Sequence, residues 1–146
     1  FWCKDTLFRI PLFGPWLRWI GGVPVQRTAA QGMTRQAVDL LERHRAEGSY
    51  CWLGLAPEGT RKLLPGWRSG FYRTAKGADV PLCLVRLDYA RREIRACDFL
   101  RLAGDEAADL QRIAAVYQGV QGCVPGRAAP IRLLDATVDR TATIVK

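Results

Sequence analysis

The sequence predicts a single α/β domain over residues 1–146, and three observations support this. Hydrophobic residues make up 49% of the chain, which is enough to build a buried core. Short apolar runs of strand length alternate with stretches in which apolar residues recur at helical spacing. No internal repeat, low-complexity tract or linker divides the sequence. Strands separated by helices are typical of a layered α/β domain.

The N-terminal stretch predicts two short helices and then a strand. Residues 1–20 are rich in aromatic side chains, and apolar residues recur at helical spacing at Phe13, Trp16, Leu17 and Ile20. Pro11, Gly14 and Pro15 divide this stretch into two pieces with a kink. The pattern fits a helix that packs on a core and also a surface that touches lipid, because Trp and Arg together suit the membrane interface. Residues 21–27 (GGVPVQR) predict the short strand.

Residues 33–46 predict an amphipathic helix, and residues 50–56 (YCWLGLA) predict a buried strand. One face of the helix carries Met33, Ala37, Leu40, Leu41 and His44, and the other carries Arg35, Asp39, Glu42 and Arg43. Gly48 ends this helix. The run that follows is almost continuously apolar, as in strands that are buried on both faces.

Two more helices and two more strands are predicted in the second half. Residues 67–79 favour a short helix that ends near Gly77, and residues 80–87 (VPLCLVRL) favour a second buried strand. Residues 92–102 have mixed polarity and predict a strand nearer the edge of the sheet. Residues 104–118 predict an amphipathic helix, whose apolar face carries Leu110, Ile113, Ala114 and Tyr117.

Charge and cysteine content narrow the classes of partner. The net charge is +8, supplied mainly by Arg, whose planar fork of donors matches phosphate. An anionic partner is expected, and composition leaves nucleic acid, an anionic membrane and a phosphorylated small molecule open. The 5 cysteines form no C-x-x-C pair and there is 1 histidine, so we expect no metal site. No apolar run reaches the roughly 18 to 20 residues of a membrane-spanning helix.

Residues 56–61 (APEGTR) are the most specific motif in the sequence. They follow the predicted strand 50–56, and ligands in α/β sheets bind at the carboxyl ends of strands. The motif would bring a carboxylate, a glycine, a hydroxyl and a guanidinium to that place, from Glu58, Gly59, Thr60 and Arg61. Residues 21–27 likewise end in Arg27. Each motif alone also fits a solvated surface turn, but two strand-end arginines could converge on one anion, because Arg binds phosphate with two donors.

Four segments together resemble the sequence blocks of the glycerolipid acyltransferases, the family of the lysophosphatidic acid acyltransferases. Residues 56–61 resemble the family's F-P-E-G-T-R block, and residues 21–27 resemble its G-x-I-F-I-x-R block. Residues 67–70 (WRSG) followed by Ala75 resemble its aromatic-Lys-x-G…A segment. Residues 80–85 (VPLCLV) resemble its V-P-I-x-P-V strand, with leucine in place of the second proline. The blocks stand in family order, and the chain most resembles small bacterial members that lack transmembrane helices.

This resemblance implies a mixed central sheet flanked by helices and a transfer of a fatty acyl group. The donor would be acyl-CoA or acyl-carrier protein, the acceptor a lysophosphatidate-like lipid, and no other cofactor is expected. The implied substrate-binding residues are Arg27, Glu58, Gly59, Thr60, Arg61 and Arg68, with Glu58 also supporting catalysis. The resemblance further implies peripheral contact with the membrane, at its cytoplasmic face or from the cytoplasm, and no nucleic-acid partner.

The family's catalytic box, H-x-x-x-x-D, does not occur in this sequence. In the family, its His takes the proton from the attacking hydroxyl and its Asp orients the imidazole. The single histidine, His44, is followed five positions later by Ser49 and lies downstream of the block at residues 21–27. We therefore expect His44 to be a packed structural residue. We expect the box upstream of Phe1, so that this chain is a partial domain, incomplete at its N-terminus and inactive alone.

Two other functions stay open at this point. The first is a non-catalytic basic module that binds anionic lipid surfaces. The second is a nucleic-acid-binding domain, which rests on charge alone because the common motifs are absent. No P-loop, dinucleotide-binding or G-x-S-x-G pattern occurs in the sequence.

Overall fold

The computed structural model describes residues 2–20, 22–25, 30–60 and 62–134. Helices and strands both occur among them, which confirms the predicted mixed α/β class. The chain divides into two compact units, Phe1–Leu55 and Ala56–Lys146. Each unit is described by itself, and the single domain over residues 1–146 stays a prediction.

The first unit begins with strand β1 (Trp2–Lys4), a 3-10 helix (Asp5–Arg9), helix α1 (Phe13–Trp19) and strand β2 (Val23–Val25). β1 and β2 pair in parallel. The two short helices and the strand within residues 21–27 are thereby confirmed, while β1 was not predicted because three residues carry too little pattern. Between the helices, a Cβ on Gly14 would lie 2.2 Å from the carbonyl oxygen of Phe8. Glycine therefore allows the two helices to touch there.

Helix α2 (Ala30–Ala46) confirms the amphipathic helix predicted at residues 33–46 and begins three residues earlier. Ala37 is buried, and the other residues of the predicted apolar face are half-buried: Met33, Leu40, Leu41 and His44. The four charged residues of the opposite face are exposed, as the helical period requires. Gly48 follows the last turn with a φ of 65°, a left-handed conformation that favours glycine.

The buried strand predicted at residues 50–56 is wrong, because these residues form neither strand nor helix. The exposed fraction is 97% for Tyr50 and 75% for Trp52. A buried strand needs neighbouring strands for its N–H and C=O groups. Among the described residues, no strand pairs with this run. An apolar run indicates a preference for burial, but the partners that would bury it are not encoded in the run.

The second unit contains α3 (Gly70–Gly77), β3 (Leu82–Asp88), β4 (Glu93–Leu100), α4 (Glu106–Val116) and a 3-10 helix (Pro125–Arg127). These elements confirm the helices predicted at residues 67–79 and 104–118 and the strands predicted at 80–87 and 92–102, with shifted bounds. β3 and β4 pair antiparallel, with an irregularity in register between Cys83 and Val85. Helix α4 begins with a side-chain cap, because the carboxylate of Asp105 accepts from the N–H groups of Ala107 and Ala108.

The described strands do not form the predicted single central sheet. They form two sheets of two strands each, β1–β2 and β3–β4. The prediction that residues 80–87 are buried on both faces is also wrong, because Val85 is 46% and Leu87 50% exposed. Leu84 is buried in the core cluster with residues of α3 and α4, which cover one face of the hairpin. The helices cover one face of this two-stranded hairpin. The side chains of β3 that point to the opposite face therefore stay exposed.

A buried carboxylate joins α3, α4 and the loop before α4. The side chain of Asp109 is fully buried and accepts from the Tyr72 hydroxyl at 3.0 Å and from the N–H groups of Ala103 and Gly104 at 2.9 and 3.1 Å. Burial alone would raise the pKa of Asp109, but these donors and the Arg112 guanidinium outweigh it and lower that pKa. Asp109 is therefore ionised, and these donors compensate its negative charge inside the second unit.

Candidate functional site

Residues 56–60 form a tight turn that is hydrogen-bonded to the backbone of Arg68. The Gly59 N–H donates to the Ala56 carbonyl at 3.0 Å, and the Arg68 N–H donates to the Pro57 carbonyl at 2.8 Å. The blocks at residues 56–61 and 67–70, which are separate in sequence, are therefore neighbours in the second unit.

Gly59 and the Arg68 side chain are in direct contact. Gly59 has a φ of 63°, in the left-handed region that favours glycine. A Cβ at this position would lie 2.7 Å from Cδ and 3.0 Å from Nε of Arg68. Two independent constraints therefore favour glycine here, and the structure brings two of the predicted substrate-binding residues together.

Glu58 contacts a part of the chain that the sequence analysis did not connect with it. Its Oε1 accepts a hydrogen bond from the backbone N–H of Ala129 at 2.9 Å. The carboxylate, which was predicted to bind the acceptor and support catalysis, holds residues 129–134 against the turn in this structure. We call residues 129–134 the C-terminal segment.

The C-terminal segment is also bonded to the residues just before Arg68. The Trp67 N–H donates to the Arg132 carbonyl at 2.7 Å, and the Leu134 N–H donates to the Trp67 carbonyl at 2.8 Å. The Arg132 Nε donates to the Pro65 carbonyl at 2.7 Å. Trp67, which was predicted to begin a helix, instead forms a bridge with Leu133, and α3 begins at Gly70. The three bonds fix the position of the backbone that carries Arg68.

The remaining predicted site residues are only partly described. The Thr60 hydroxyl oxygen accepts from the Lys62 N–H at 3.2 Å, which stabilises the end of the turn. Arg27 and Arg61 lie outside the described residues. Their convergence on one anion therefore stays a prediction.

The single histidine contacts the residue that takes the place of the family's aspartate. His44 Nδ1 lies 2.7 Å from the Ser49 hydroxyl oxygen. The Ser49 N–H donates to the His44 carbonyl at 2.9 Å. Both contacts close the C-terminal end of α2, so in this structure His44 is part of a helix end.

A shallow cavity of about 570 Å³ adjoins α3 in the second unit. Its lining includes the basic side chains of Arg73 and Lys76, the acidic Glu106, and Leu133 and Leu134 of the C-terminal segment. Within the described ranges, no group of three or more His, Cys, Asp or Glu residues could hold a metal ion. In the same ranges, no helix is long and apolar enough to span a bilayer.

Comparison with known families identifies the chain. A family model described as "Acyltransferase" matches residues 1–87, more than half of the 146 residues. The chain belongs to the acyltransferase family. All four resembling blocks lie inside the match, and membership supports a general acyltransferase function. No curated protein and no solved structure matches the chain significantly.

The structure of this acyltransferase links the matched part of the second unit to residues beyond the match. The C-terminal segment lies outside residues 1–87, yet it bonds to Glu58 and Trp67, which lie inside. The sequence carried no signal for this contact, because every residue has a backbone carbonyl and every residue except proline has a backbone N–H.

Proposed function

We propose that this acyltransferase binds the phosphate of a lysophosphatidate-like acceptor for transfer of a fatty acyl group to the acceptor's hydroxyl. The donor in this proposal is acyl-CoA or acyl-carrier protein, and the product is a phospholipid precursor. The observation that carries the proposal is the block at residues 56–61, which lies in the family match and whose Gly59 is packed on Arg68 of the next block.

In this proposal Arg27 and Arg61 hold the acceptor phosphate. A guanidinium presents two parallel donors to phosphate oxygens, which fixes the position and the orientation of the acceptor. Arg61 stands two positions after Gly59 in the block at residues 56–61. Arg68 adds a positive charge beside the turn, where its side chain contacts Gly59. Glu58 acts on this site by holding the turn to the C-terminal segment.

The chemical step is attack of the acceptor hydroxyl on the thioester carbonyl. The new C–O ester bond forms, the C–S bond breaks, and the hydroxyl proton ends on the released thiol. A His–Asp pair of the family's type would accept that proton in the transition state. The 146 residues contain no H-x-x-x-x-D box, so the role proposed for them is binding and positioning of the acceptor. The acceptor is a membrane lipid, and we infer that the protein works at the cytoplasmic face of the membrane.

The direct test is acyl transfer by this chain fused behind the His–Asp box of a related acyltransferase. Release of thiol from acyl-CoA is measured with lysophosphatidate and with monoacylglycerol, which lacks the phosphate. We expect transfer to lysophosphatidate, with a preference of about tenfold or more over monoacylglycerol, because phosphate contacts are charge-assisted. Equal rates with the two acceptors would contradict the proposal.

The unfused chain and its His44→Ala variant are the controls. A general base contributes a factor of about 10² to 10⁴ in rate, so the chain alone should not release thiol above background. Turnover by the chain alone that disappears in the His44→Ala variant would show that His44 acts as the base.

The second candidate is a non-catalytic module that binds anionic lipid surfaces. Two observations favour it: the box is absent from these residues, and large apolar side chains near α1 are exposed. The candidates differ in one respect. An acceptor site distinguishes single lipids by their phosphate, whereas a surface module responds to the charge of the whole bilayer.

A further inference from the structure

The cavity beside α3 is large enough to hold a small molecule or the end of one. Its volume is about 570 Å³, and small-molecule sites measure roughly 300 to 1,000 Å³. The lining includes Ser69, the residue before α3, and Gly77, its last residue. At about 1.5 Å per residue, the 8 residues of α3 give the cavity a length of about 12 Å. An extended ligand therefore fits along this helix.

Two cationic side chains of α3 line the cavity. Arg73 and Lys76 are three positions apart, so they project from the same side of the helix. Within the described ranges neither forms an ion pair, although Glu106 also lines the cavity. Four exposed arginines elsewhere in the second unit do pair with a carboxylate: Arg91, Arg95, Arg101 and Arg112. The two cations at the cavity favour an anionic ligand, and phosphate offers oxygens to both.

Another part of the lining is apolar and comes from the C-terminal segment. Leu133 and Leu134 line the cavity, and the Leu134 N–H donates to the Trp67 carbonyl at 2.8 Å. Tyr72 also lines it, and its hydroxyl donates to the buried Asp109 at 3.0 Å. These contacts hold the lining in place. Apolar walls with a few fixed polar groups are typical of binding sites for small molecules.

One end of the cavity adjoins the candidate acceptor site. Ser69 lines the cavity, and the residue before it, Arg68, contacts Gly59. Arg73 and Lys76 stand about one and two helical turns further along the chain. A ligand whose anionic group lies at these two cations therefore extends its other end toward the acceptor site.

We propose that the cavity binds the phosphopantetheine arm of the acyl donor, with the phosphate at Arg73 and Lys76. The inference rests on the proposed function, in which the donor is acyl-CoA or acyl-carrier protein, since both carry this arm. The arm joins a phosphate to the thioester through amide and aliphatic groups. The phosphate matches the two cations, and the aliphatic groups match Leu133 and Leu134. The thioester end lies toward the turn at residues 56–60.

The test is calorimetric binding of phosphopantetheine to the full chain, compared with pantetheine, which lacks the phosphate. We expect binding about tenfold tighter with the phosphate, because its contacts are charge-assisted. The double change Arg73→Gln with Lys76→Gln should abolish this preference, since it removes both cations. Arg73→Lys keeps the charge without the planar fork and should weaken binding about threefold. Both positions are exposed, and Gln, Lys and Arg have similar helix propensities, so the variants should melt like the unchanged protein.

CoA and acyl-carrier protein distinguish the two sources of the arm. The holo carrier protein carries the arm and the apo form lacks it, so only the holo form should bind through the cavity. The donor that binds more tightly, CoA or the holo carrier protein, should lose about tenfold in affinity in the Arg73/Lys76 double variant. Arg127→Gln is the matched control. It removes an exposed charge of the second unit outside the described lining and should leave phosphopantetheine binding unchanged.

Three results would overturn the inference. The first is equal binding of phosphopantetheine and pantetheine, or no binding of either. The second is a loss in Arg127→Gln as large as in the Arg73/Lys76 double variant. The third is an equal loss of lysophosphatidate binding in the double variant, which would assign the cavity to the acceptor. A failure of the acceptor site is separate, because it is read from Arg27 and Arg61, which are unchanged in every variant used here.

Discussion

Gly59 lies under two constraints, a positive φ and the Arg68 side chain, and their effects can be separated by mutation. Gly48 has nearly the same φ, 65° against 63°, but nothing lies within 4 Å of the Cβ that alanine would add there. Gly48→Ala should therefore cost only the conformational penalty, about 1 kcal/mol. Gly59→Ala should lower the free energy of unfolding by about 1 kcal/mol more, because Arg68 must move. Urea unfolding of both variants measures this difference, and equal losses would show that Arg68 moves aside freely.

The pair of Tyr72 and Asp109 predicts how stability depends on alkaline pH. Burial, followed by the hydrogen bond to Asp109 and its negative charge, raises the pKa of Tyr72 from 10.0 to about 12. The folded state thus favours the protonated phenol, and this contribution to stability is complete below pH 10 and is lost between pH 10 and about 12. Tyr72→Phe should cost about 1 to 2 kcal/mol near neutral pH. The variant's free energy of unfolding, measured in urea, should also fall less between pH 10 and about 12 than that of the unchanged protein. The same pH dependence in both proteins would contradict the assignment.

Sequence reasoning named individual residues of the candidate site but not the residues that contact them. Glu58, Gly59 and Arg68 were named from the motifs, and the structure brings Gly59 and Arg68 together. The bond from Ala129 to Glu58 could not be foreseen, because nothing in the sequence around Ala129 distinguishes its N–H from any other. Asp109 was not singled out either. A buried carboxylate is recognised by its donors, and three of its four partners are backbone N–H groups or a distant hydroxyl.

At the scale of elements, the hydrogen bond from the Ala129 N–H to the Glu58 carboxylate holds the C-terminal segment against the turn at residues 56–60. Glu58→Ala should lower the free energy of unfolding by about 1 to 2 kcal/mol, because the half-buried N–H loses its acceptor. Glu58→Gln keeps an oxygen acceptor and should cost less than half as much. Hydrogen exchange at the Ala129 amide should be faster in Glu58→Ala than in the unchanged protein. Urea unfolding of the same samples measures the loss of stability. Unchanged exchange in Glu58→Ala would contradict the contact.

Residues 50–56 give a second test, on which sequence pattern and structure disagree. The structure leaves Tyr50 97% and Trp52 75% exposed on irregular backbone, so chymotrypsin should cut after them first. Phe71 and Tyr72 are buried in α3 and serve as internal controls that should resist cleavage. Mass spectrometry of the first fragments identifies the sites. Protection of residues 50–56 would show that the predicted buried strand forms after all.

The elements that were predicted correctly are those whose signal is local. α2 and α4 follow from apolar residues at helical spacing, and β3 follows from a short apolar run. The errors concern pairing. The predicted strand at residues 50–56 and the burial of both faces of β3 depended on neighbours elsewhere in the chain, which periodicity does not specify.

At the scale of the whole molecule, the family match and the fold cover different residues. The match ends at Leu87, within β3, whereas the core of the second unit also needs Leu100, Leu110 and Ile113. Residues outside the match therefore support the blocks inside it. The mixed α/β class could be predicted from the alternation of patterns, but the division of the strands into two sheets could not, since each sheet joins segments whose pairing is set by tertiary packing.

The measurement that tests the central claim most directly is calorimetric binding of a short-chain lysophosphatidate to this chain, compared with the monoacylglycerol of the same chain length. Arg61→Gln and Arg27→Gln should each weaken lysophosphatidate binding by about ten- to a hundredfold, because a charge-assisted contact is worth about 1.5 to 3 kcal/mol. Arg61 should matter more, and Arg61→Lys should recover only part of the loss. Arg35→Gln and Arg127→Gln, one exposed control in each unit, should change nothing. Equal losses for the two lipids, or losses as large in the controls, would contradict the phosphate site.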